Sequence, residues 1–239
     1  MSKTVLVLGA SGGIGRAIVR KLVRDGWIVY AHFHQNEQAI LTLIKELGKQ
    51  EDIFPIQADL TTKESVDHLI SVVGAVDSII HAGGMAFEGL LEETSDDVME
   101  KLWNAHLFQP ARLIRALLPD MRRREKSSIV FLSSIWGETG ASNEVMYSAV
   151  KGAQIAFVKA LGKELAPSRI RVNAVAPGAV DTSMLARFDD VDRQWIENDI
   201  PYGRMANPSE VAGAVVYLVS DDASYVTSHV LSVNGGWYA

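Results

Sequence analysis

Between Phe131 and Lys151 the chain reads "FLSSIWGETGASNEVMYSAVK", a β-branched run ending in Ser133 and Ser134, a glycine-bearing polar stretch, then Tyr147 four residues before Lys151. On a helix, residues four apart share a face, so the phenol and the ammonium are brought together. A phenol with a pKa near 10 is a poor acid–base catalyst at neutral pH. A neighbouring cation stabilises the phenolate and moves that pKa toward the working range. A serine at the carboxyl end of a strand can hydrogen-bond a carbonyl oxygen as charge develops on it. Together the three types suit proton transfer at a carbonyl oxygen, although a tyrosine and a lysine on one face of an amphipathic helix are by themselves commonplace.

A second constellation lies near the start. The first apolar run ends in "GASGGIGRAI", with Gly9, Gly13 and Gly15 in the spacing G-x-x-x-G-x-G and Gly12 as an extra. Glycines there let the backbone turn tightly and approach a pyrophosphate at a helix N-terminus, where unpaired N–H groups and the helix dipole favour an anion. A glycine triplet alone is also a plain strand–helix turn; its place at the first strand–helix junction of an alternating chain argues for a dinucleotide. Selectivity for the unphosphorylated cofactor calls for an acid at the end of the second strand. The aligned residue in "YAHFHQNEQ" is Phe33. With no carboxylate to repel a 2′-phosphate, NADP(H) is favoured. His32, His34 and Asn36 are the donors on offer for that phosphate, or else solvated loop residues.

These residues need a scaffold. Strand-like runs at "TVLVLG", "WIVYAHF", "DIFPIQAD", "VDSIIHAG", "SSIVFLSS", "RIRVNAVAP" and "HVLSVNGG" alternate with helical patterns such as "GRAIVRKLVRDG", "EQAILTLIKELGK" and "SAVKGAQIAFVKALGKELA". Repeated strand-then-helix predicts an α/β fold: a doubly wound parallel sheet with helices on both faces. No low-complexity linker interrupts the 239 residues, so one domain is expected over 1–239, with an inserted lid-like segment at about 183–207. The chain is 48% apolar with a net charge of −6, which disfavours nucleic-acid binding. It has no cysteine, hence no disulfide or thiolate metal site, and no metal is expected. No run approaches a membrane span, and a cytoplasmic protein is expected.

In "GASGGIG", Ala58–Asp59, "HAGG" at His81–Gly84, Ser134, "YSAVK", "NAVAPGAVDT" and the terminal "VNGG", the chain resembles the short-chain dehydrogenase/reductase family over essentially its whole length. The resemblance implies a single Rossmann-type domain with about seven parallel strands. It implies NADPH delivering hydride to a ketone while Tyr147 protonates the oxygen, Lys151 also holding the nicotinamide ribose. The family's thirteen-residue spacing to the tyrosine selects Ser134 over Ser133. Carried over by position, the cofactor would also meet Ser11 and Ile14 in the glycine loop, and Asp59 and Leu60 after the third strand. Ala82, Gly83 and Gly84 follow the fourth strand, and Pro177, Gly178, Val180 and Thr182 the sixth. Two departures stand out. His106 occupies the place where many members have an asparagine that orders a relay water; it would hold that water, join the relay, or simply pack. His81 replaces another asparagine and reads as a structural hydrogen-bonding residue.

Over its full length the chain resembles 3-oxoacyl-[acyl-carrier-protein] reductases. "SSIWGETGAS", "KGAQ" and "LSVNGGW" resemble more locally the reductases that complete the 5-aminopentanol modification of elongation factor P, a group that His106 also fits. The expected partner is thus a protein-borne ketone on elongation factor P or an acyl carrier protein. An aminopentanone carries a cation, and Glu138 and Glu144 lie in the loop between Ser134 and Tyr147, as ammonium anchors or as solvated acids. Trp136 and Met184 are further substrate candidates; Leu185, Phe188 and Trp195 are lid lining or ordinary core. The basic run Arg122–Lys126 reads as an acidic-partner site or a solvated helix end. Family likeness implies a homodimer or homotetramer. Two other readings stay open: a cofactor-sensing protein without turnover, and an NAD-dependent alcohol dehydrogenase.

Overall fold

The computed structural model describes residues 2–185 and 189–238. All seven strand-like runs form strands: β1 (Thr4–Leu8), β2 (Ile28–Phe33), β3 (Ile53–Gln57), β4 (Ser78–His81), β5 (Ser127–Leu132), β6 (Ile170–Pro177) and β7 (Val230–Val233). They make one sheet in the order β3-β2-β1-β4-β5-β6-β7, every neighbouring pair parallel. The order reverses between β1 and β4, where Leu8 lies opposite His81, and ligands of such sheets bind in the crevice at that switch point.

Alternation along the strands divides the core into two layers. Val5, Val7, Val29, Ala31, Val130 and Val175 point to one face, covered by α1 (Gly13–Arg24), α2 (Glu37–Leu47) and α9 (Pro208–Val219). Leu6, Leu8, Ile79, Ile129, Phe131 and Val172 point to the other, under α3 (Lys63–Val72), α5 (Gln109–Met121) and α7 (Val145–Leu165). Burial on both faces is why the strands read as near-continuous apolar runs. The long helix begins at Val145, so Tyr147 and Lys151 both lie on α7 as the spacing requires.

Between β4 and β5 one continuous helical rod holds α4 (Asp96–Trp103), a π-helical turn at Asn104–Phe108, and α5. The Gln109 N–H donates to the Asn104 carbonyl five residues back. Such a turn displaces carbonyls from the regular ladder and tends to mark functional positions. After β5 comes a single helical turn, α6 (Trp136–Thr139).

The segment expected as a lid leaves and returns at one place. Val180 and Ala206 form a parallel bridge, with Asp181 N–H donating to the Ala206 carbonyl at 2.9 Å and Ala206 N–H to the Ala179 carbonyl at 3.0 Å. Between them lie a 3-10 turn, Ser183–Leu185, and α8 (Asp190–Asp199), whose first turn is capped by the Asp189 carboxylate. Among the described residues no helix is long and apolar enough to cross a membrane. The basic run after α5 is largely paired: Arg123 with Asp120, Arg124 with Asp77 and Lys126 with Asp221.

Candidate active site

A cleft of about 900 Å³ opens at the carboxyl ends of β1, β2, β4, β5 and β6. Its floor at one end is the glycine loop. Gly9 has φ +79°, and a Cβ there would sit 2.3 Å from the Gly83 Cα, so two strand ends meet backbone to backbone. Gly12 precedes α1, whose first turn carries no acidic residue. A pyrophosphate therefore meets bare N–H groups and a favourable dipole.

The histidines of β2 separate by role. His32 is buried: its Nδ1 accepts the Gly9 N–H at 2.9 Å and its Nε2–H donates to the Ala58 carbonyl at 3.0 Å. Burial lowers its pKa to about 4, which keeps it neutral. With both nitrogens spent on backbone, His32 braces the glycine loop and offers no donor to a phosphate, a correction to the expectation from sequence. Asn36 caps α2, its Oδ1 accepting the Ala39 N–H at 3.1 Å, which leaves its amide N–H groups as donors at the rim beyond the cleft lining. His34 remains a candidate, lining the cleft and lying 3.7 Å from Asp59. Asp59 in turn accepts from the Thr61 N–H and hydroxyl, both at 2.8 Å, which hold its carboxyl below the usual range against the opposing effect of burial.

At the other end β5 and α7 deliver the catalytic candidates. The Ser133 hydroxyl donates to the Lys151 carbonyl at 2.9 Å and fastens α7 to the strand end. Ser134 turns to the cleft, accepting the Trp136 N–H at 3.1 Å and hydrogen-bonding the Tyr147 phenol. Burial raises the Tyr147 pKa above its usual value near 10; the Glu144 carboxylate adds to this and the Ser134 bond opposes it. Lys151 is buried, its Nζ 2.8 Å from the Leu132 carbonyl it donates to and 5.4 Å from the centre of the Tyr147 ring. Burial lowers its pKa from 10.5 to about 7.

His106 lies in the π-turn, its ring edge-on to Tyr147 with centroids 5.7 Å apart. Its Nε2 is 2.7 Å from the Met85 carbonyl, the shorter of two contacts to that residue, which assigns the proton to Nε2. Burial, then the Lys151 charge, lower its pKa well below 6.5. His81 is fully buried, its ring edge-on to Phe131 and directed at the backbone carbonyls of His106 and Ala105, a setting that fits the structural reading.

Of the substrate candidates, Trp136 and Glu144 line the cleft. Glu138 is not among the cleft-lining residues; its carboxylate faces β7 and accepts from the Ser232 hydroxyl at 3.2 Å. Leu185 lines the cleft, Trp195 is exposed, the Met184 side chain and Phe188 lie outside the described residues. Sequence reasoning missed Trp237, whose ring meets Trp136 at 5.4 Å, and Lys101 at the Asp59 end. The ending "VNGGW" carried the first; only folding brings α4 and Lys101 to the cleft.

Residues 9–238 match the family model described as enoyl-(acyl carrier protein) reductase. Among curated proteins, the chain is 45% identical to the uncharacterized oxidoreductase YmfI of Bacillus subtilis, with all of both chains covered. It is 34% identical to the 3-oxoacyl-[acyl-carrier-protein] reductase FabG of Vibrio harveyi, covering 99% of this chain and 97% of that one. Among solved structures it is similar to a short-chain dehydrogenase/reductase of Brucella melitensis, with a TM-score of 0.90, 31% identity, and 99% and 97% of the two chains covered. It is also similar to the angucycline C-6 ketoreductase LanV with bound NADP, with a TM-score of 0.91, 27% identity, and 98% and 94% covered. The chain belongs to the short-chain dehydrogenase/reductase family of oxidoreductases.

Proposed function

We propose that the protein is an NADPH-dependent ketone reductase in which Tyr147 donates the proton, Ser134 holds the carbonyl oxygen and Lys151 sets the acidity of the phenol. The observation that carries this reading is the buried Lys151 ammonium behind a Tyr147 phenol that is hydrogen-bonded to Ser134, in the same cleft as the glycine loop. The glycine loop, the acid-free start of α1 and the absence of a carboxylate at Phe33 fit NADP(H), as does the NADP bound in LanV. When bound, the nicotinamide supplies the hydride; the chain's own residues orient the ketone and deliver the proton. His106 serves as the neutral ring that holds the Tyr147 phenol in place. The segment at about 183–207 acts as a lid hinged at the Val180–Ala206 bridge. The exposed Trp103 and Phe108 beside the π-turn suit a homodimer or homotetramer interface.

The ketone is carried on another protein, and a 5-aminopentanone on elongation factor P is the favoured one. Glu144 and the Trp136–Trp237 pair support it, since all three line the cleft and a carboxylate and indole rings both suit an alkylammonium. The Glu144 carboxylate is also among the causes that raise the Tyr147 pKa, so a charge bound there is felt at the phenol. The second reading, 3-oxoacyl-[acyl-carrier-protein] reduction, rests on the 34% identity to the Vibrio harveyi enzyme. NADPH oxidation against aminopentanone-bearing elongation factor P and an acetoacetyl carrier-protein mimic separates them. A preference of about a hundredfold in kcat/KM, about 2.7 kcal/mol, is expected for the former. Preference for the acyl substrate refutes the first reading.

A further inference from the structure

The chain beyond β7 turns back on the cleft. Gly235 and Gly236 both lie in the left-handed region, with φ +64° and +80°, and so reverse its direction within two residues. Asn234, buried just past the strand, pins the turn from inside. Its Oδ1 accepts the Gly236 N–H at 3.0 Å, and its Nδ2–H donates to the Tyr238 carbonyl at 2.7 Å. The Trp237 N–H closes the same turn on the Asn234 carbonyl at 3.1 Å.

The turned tail is braced at two points. Beyond α8, the Tyr202 N–H donates to the Gly235 carbonyl at 3.1 Å, and a Cβ on Gly235 would lie 2.8 Å from Ile200. At the other point the Trp237 indole meets that of Trp136 at 5.4 Å, the ring planes 63° apart. Trp136 opens α6, and its own N–H reaches the Ser134 hydroxyl at 3.1 Å. The tail therefore runs from the end of the lid segment to the turn beside Ser134, and both indoles line the cleft. Held by backbone bonds and a buried amide, it is a fixed wall. A ketone whose oxygen lies between Ser134 and Tyr147 has two substituents. The one turned toward Trp136 meets this wall; the other takes the rest of the cleft, where Leu185 and Ile196 of the lid segment stand.

We infer that Trp237 determines substrate specificity: the C-terminal tail caps the arm beyond the carbonyl, so the enzyme takes ketones with one short substituent and holds them in a single orientation. The long substituent is the arm that leads to the carrier. A reductase that serves a growing acyl chain must admit arms of many lengths, which a fixed wall does not. The inference rests on the ketone-reductase reading above and narrows its substrate class.

The test is a homologous series of ketones, from ethyl 3-oxobutanoate to ethyl 3-oxodecanoate, reduced with NADPH by the parent and by Trp237→Ala. Both kcat/KM and the enantiomer ratio of the hydroxy ester are measured at each length. In the parent, kcat/KM is expected to fall at least about tenfold from the shortest to the longest ketone, and the shortest gives one enantiomer in excess. In Trp237→Ala the long-to-short ratio should rise at least about tenfold. The enantiomeric excess from ethyl 3-oxobutanoate should fall, because either substituent then fits where the indole was. Trp237→Leu is expected between the two, and it decides alone if Trp237→Ala does not fold. A merely structural tryptophan would scale all the rates together and leave both ratios unmoved, and that result overturns the inference. A parent indifferent to chain length overturns it as well. Tyr147→Phe separates the levels: parental turnover in that variant overturns the catalytic reading while the length and enantiomer ratios still judge the wall. A parent that reduces none of the series overturns both.

Discussion

Replacing Lys151 by methionine should abolish turnover and make the protein more stable. Burial lowers the lysine pKa from 10.5 to about 7. At about 1.4 kcal/mol per unit, holding the protonated form in the fold costs about 5 kcal/mol below pH 7. Methionine keeps the unbranched stem and removes that cost, but orphans the Leu132 carbonyl, which loses about 1–3 kcal/mol. A net gain of about 2–4 kcal/mol remains, or roughly 5–10 °C in Tm for a domain of this size. The sign with pH follows from proton counting. Between pH 7 and 10.5 the unfolded lysine keeps its proton and the folded one sheds it, so the parent gains stability as pH rises. The advantage of Lys151→Met is therefore greatest below pH 7 and fades toward pH 10. Thermal unfolding followed by tryptophan fluorescence from pH 6 to 10, without cofactor, reads it directly. A variant less stable than the parent at pH 6, or an advantage that does not vary with pH, refutes the reasoning.

Acid should unfold the parent early, because His32 and His81, with pKa values near 4 and 3, stay neutral in the fold while the unfolded chain takes up protons below pH 6.5. The urea midpoint should fall steeply between pH 6.5 and 4, and His81→Asn should flatten part of that fall; a flat profile in the parent contradicts the burial. Gly84→Ala puts a methyl group 2.2 Å from the His106 ring at a φ of +147°, so a loss of about 1–3 kcal/mol and at least tenfold in kcat is expected, checked by urea unfolding and steady-state rates. Glu144→Gln should lower kcat/KM for an amino ketone at least tenfold while leaving or raising it for a neutral ketone of equal length; parallel losses count against ammonium recognition. Glu210 accepts the Asn207 N–H at the start of α9 and pairs with Arg204, which hold its pKa near 2. Its stabilisation is present above pH 4.5 and lost toward pH 2, and because the pair is exposed Glu210→Gln should cost under about 1 kcal/mol in urea titrations at pH 7.

What the sequence determined by itself was everything encoded over short range. Seven β-branched runs separated by helical periods were enough for the doubly wound sheet, because parallel strands buried on both faces must be apolar throughout. The four-residue interval between Tyr147 and Lys151 was enough for a shared helix face, and the glycines for a close backbone approach. The tertiary structure decided which of several equivalent side chains the cleft receives. His32, His34 and Asn36 were interchangeable donors in sequence; the fold spends the first on Gly9 and Ala58 and the third on a helix cap. Glu138 and Glu144 were interchangeable acids; the turn of α6 carries one to β7 and leaves the other beside Tyr147. Hydrogen-bond partners and burial depend on what the rest of the chain brings within a few ångströms, and no spacing along one segment contains that.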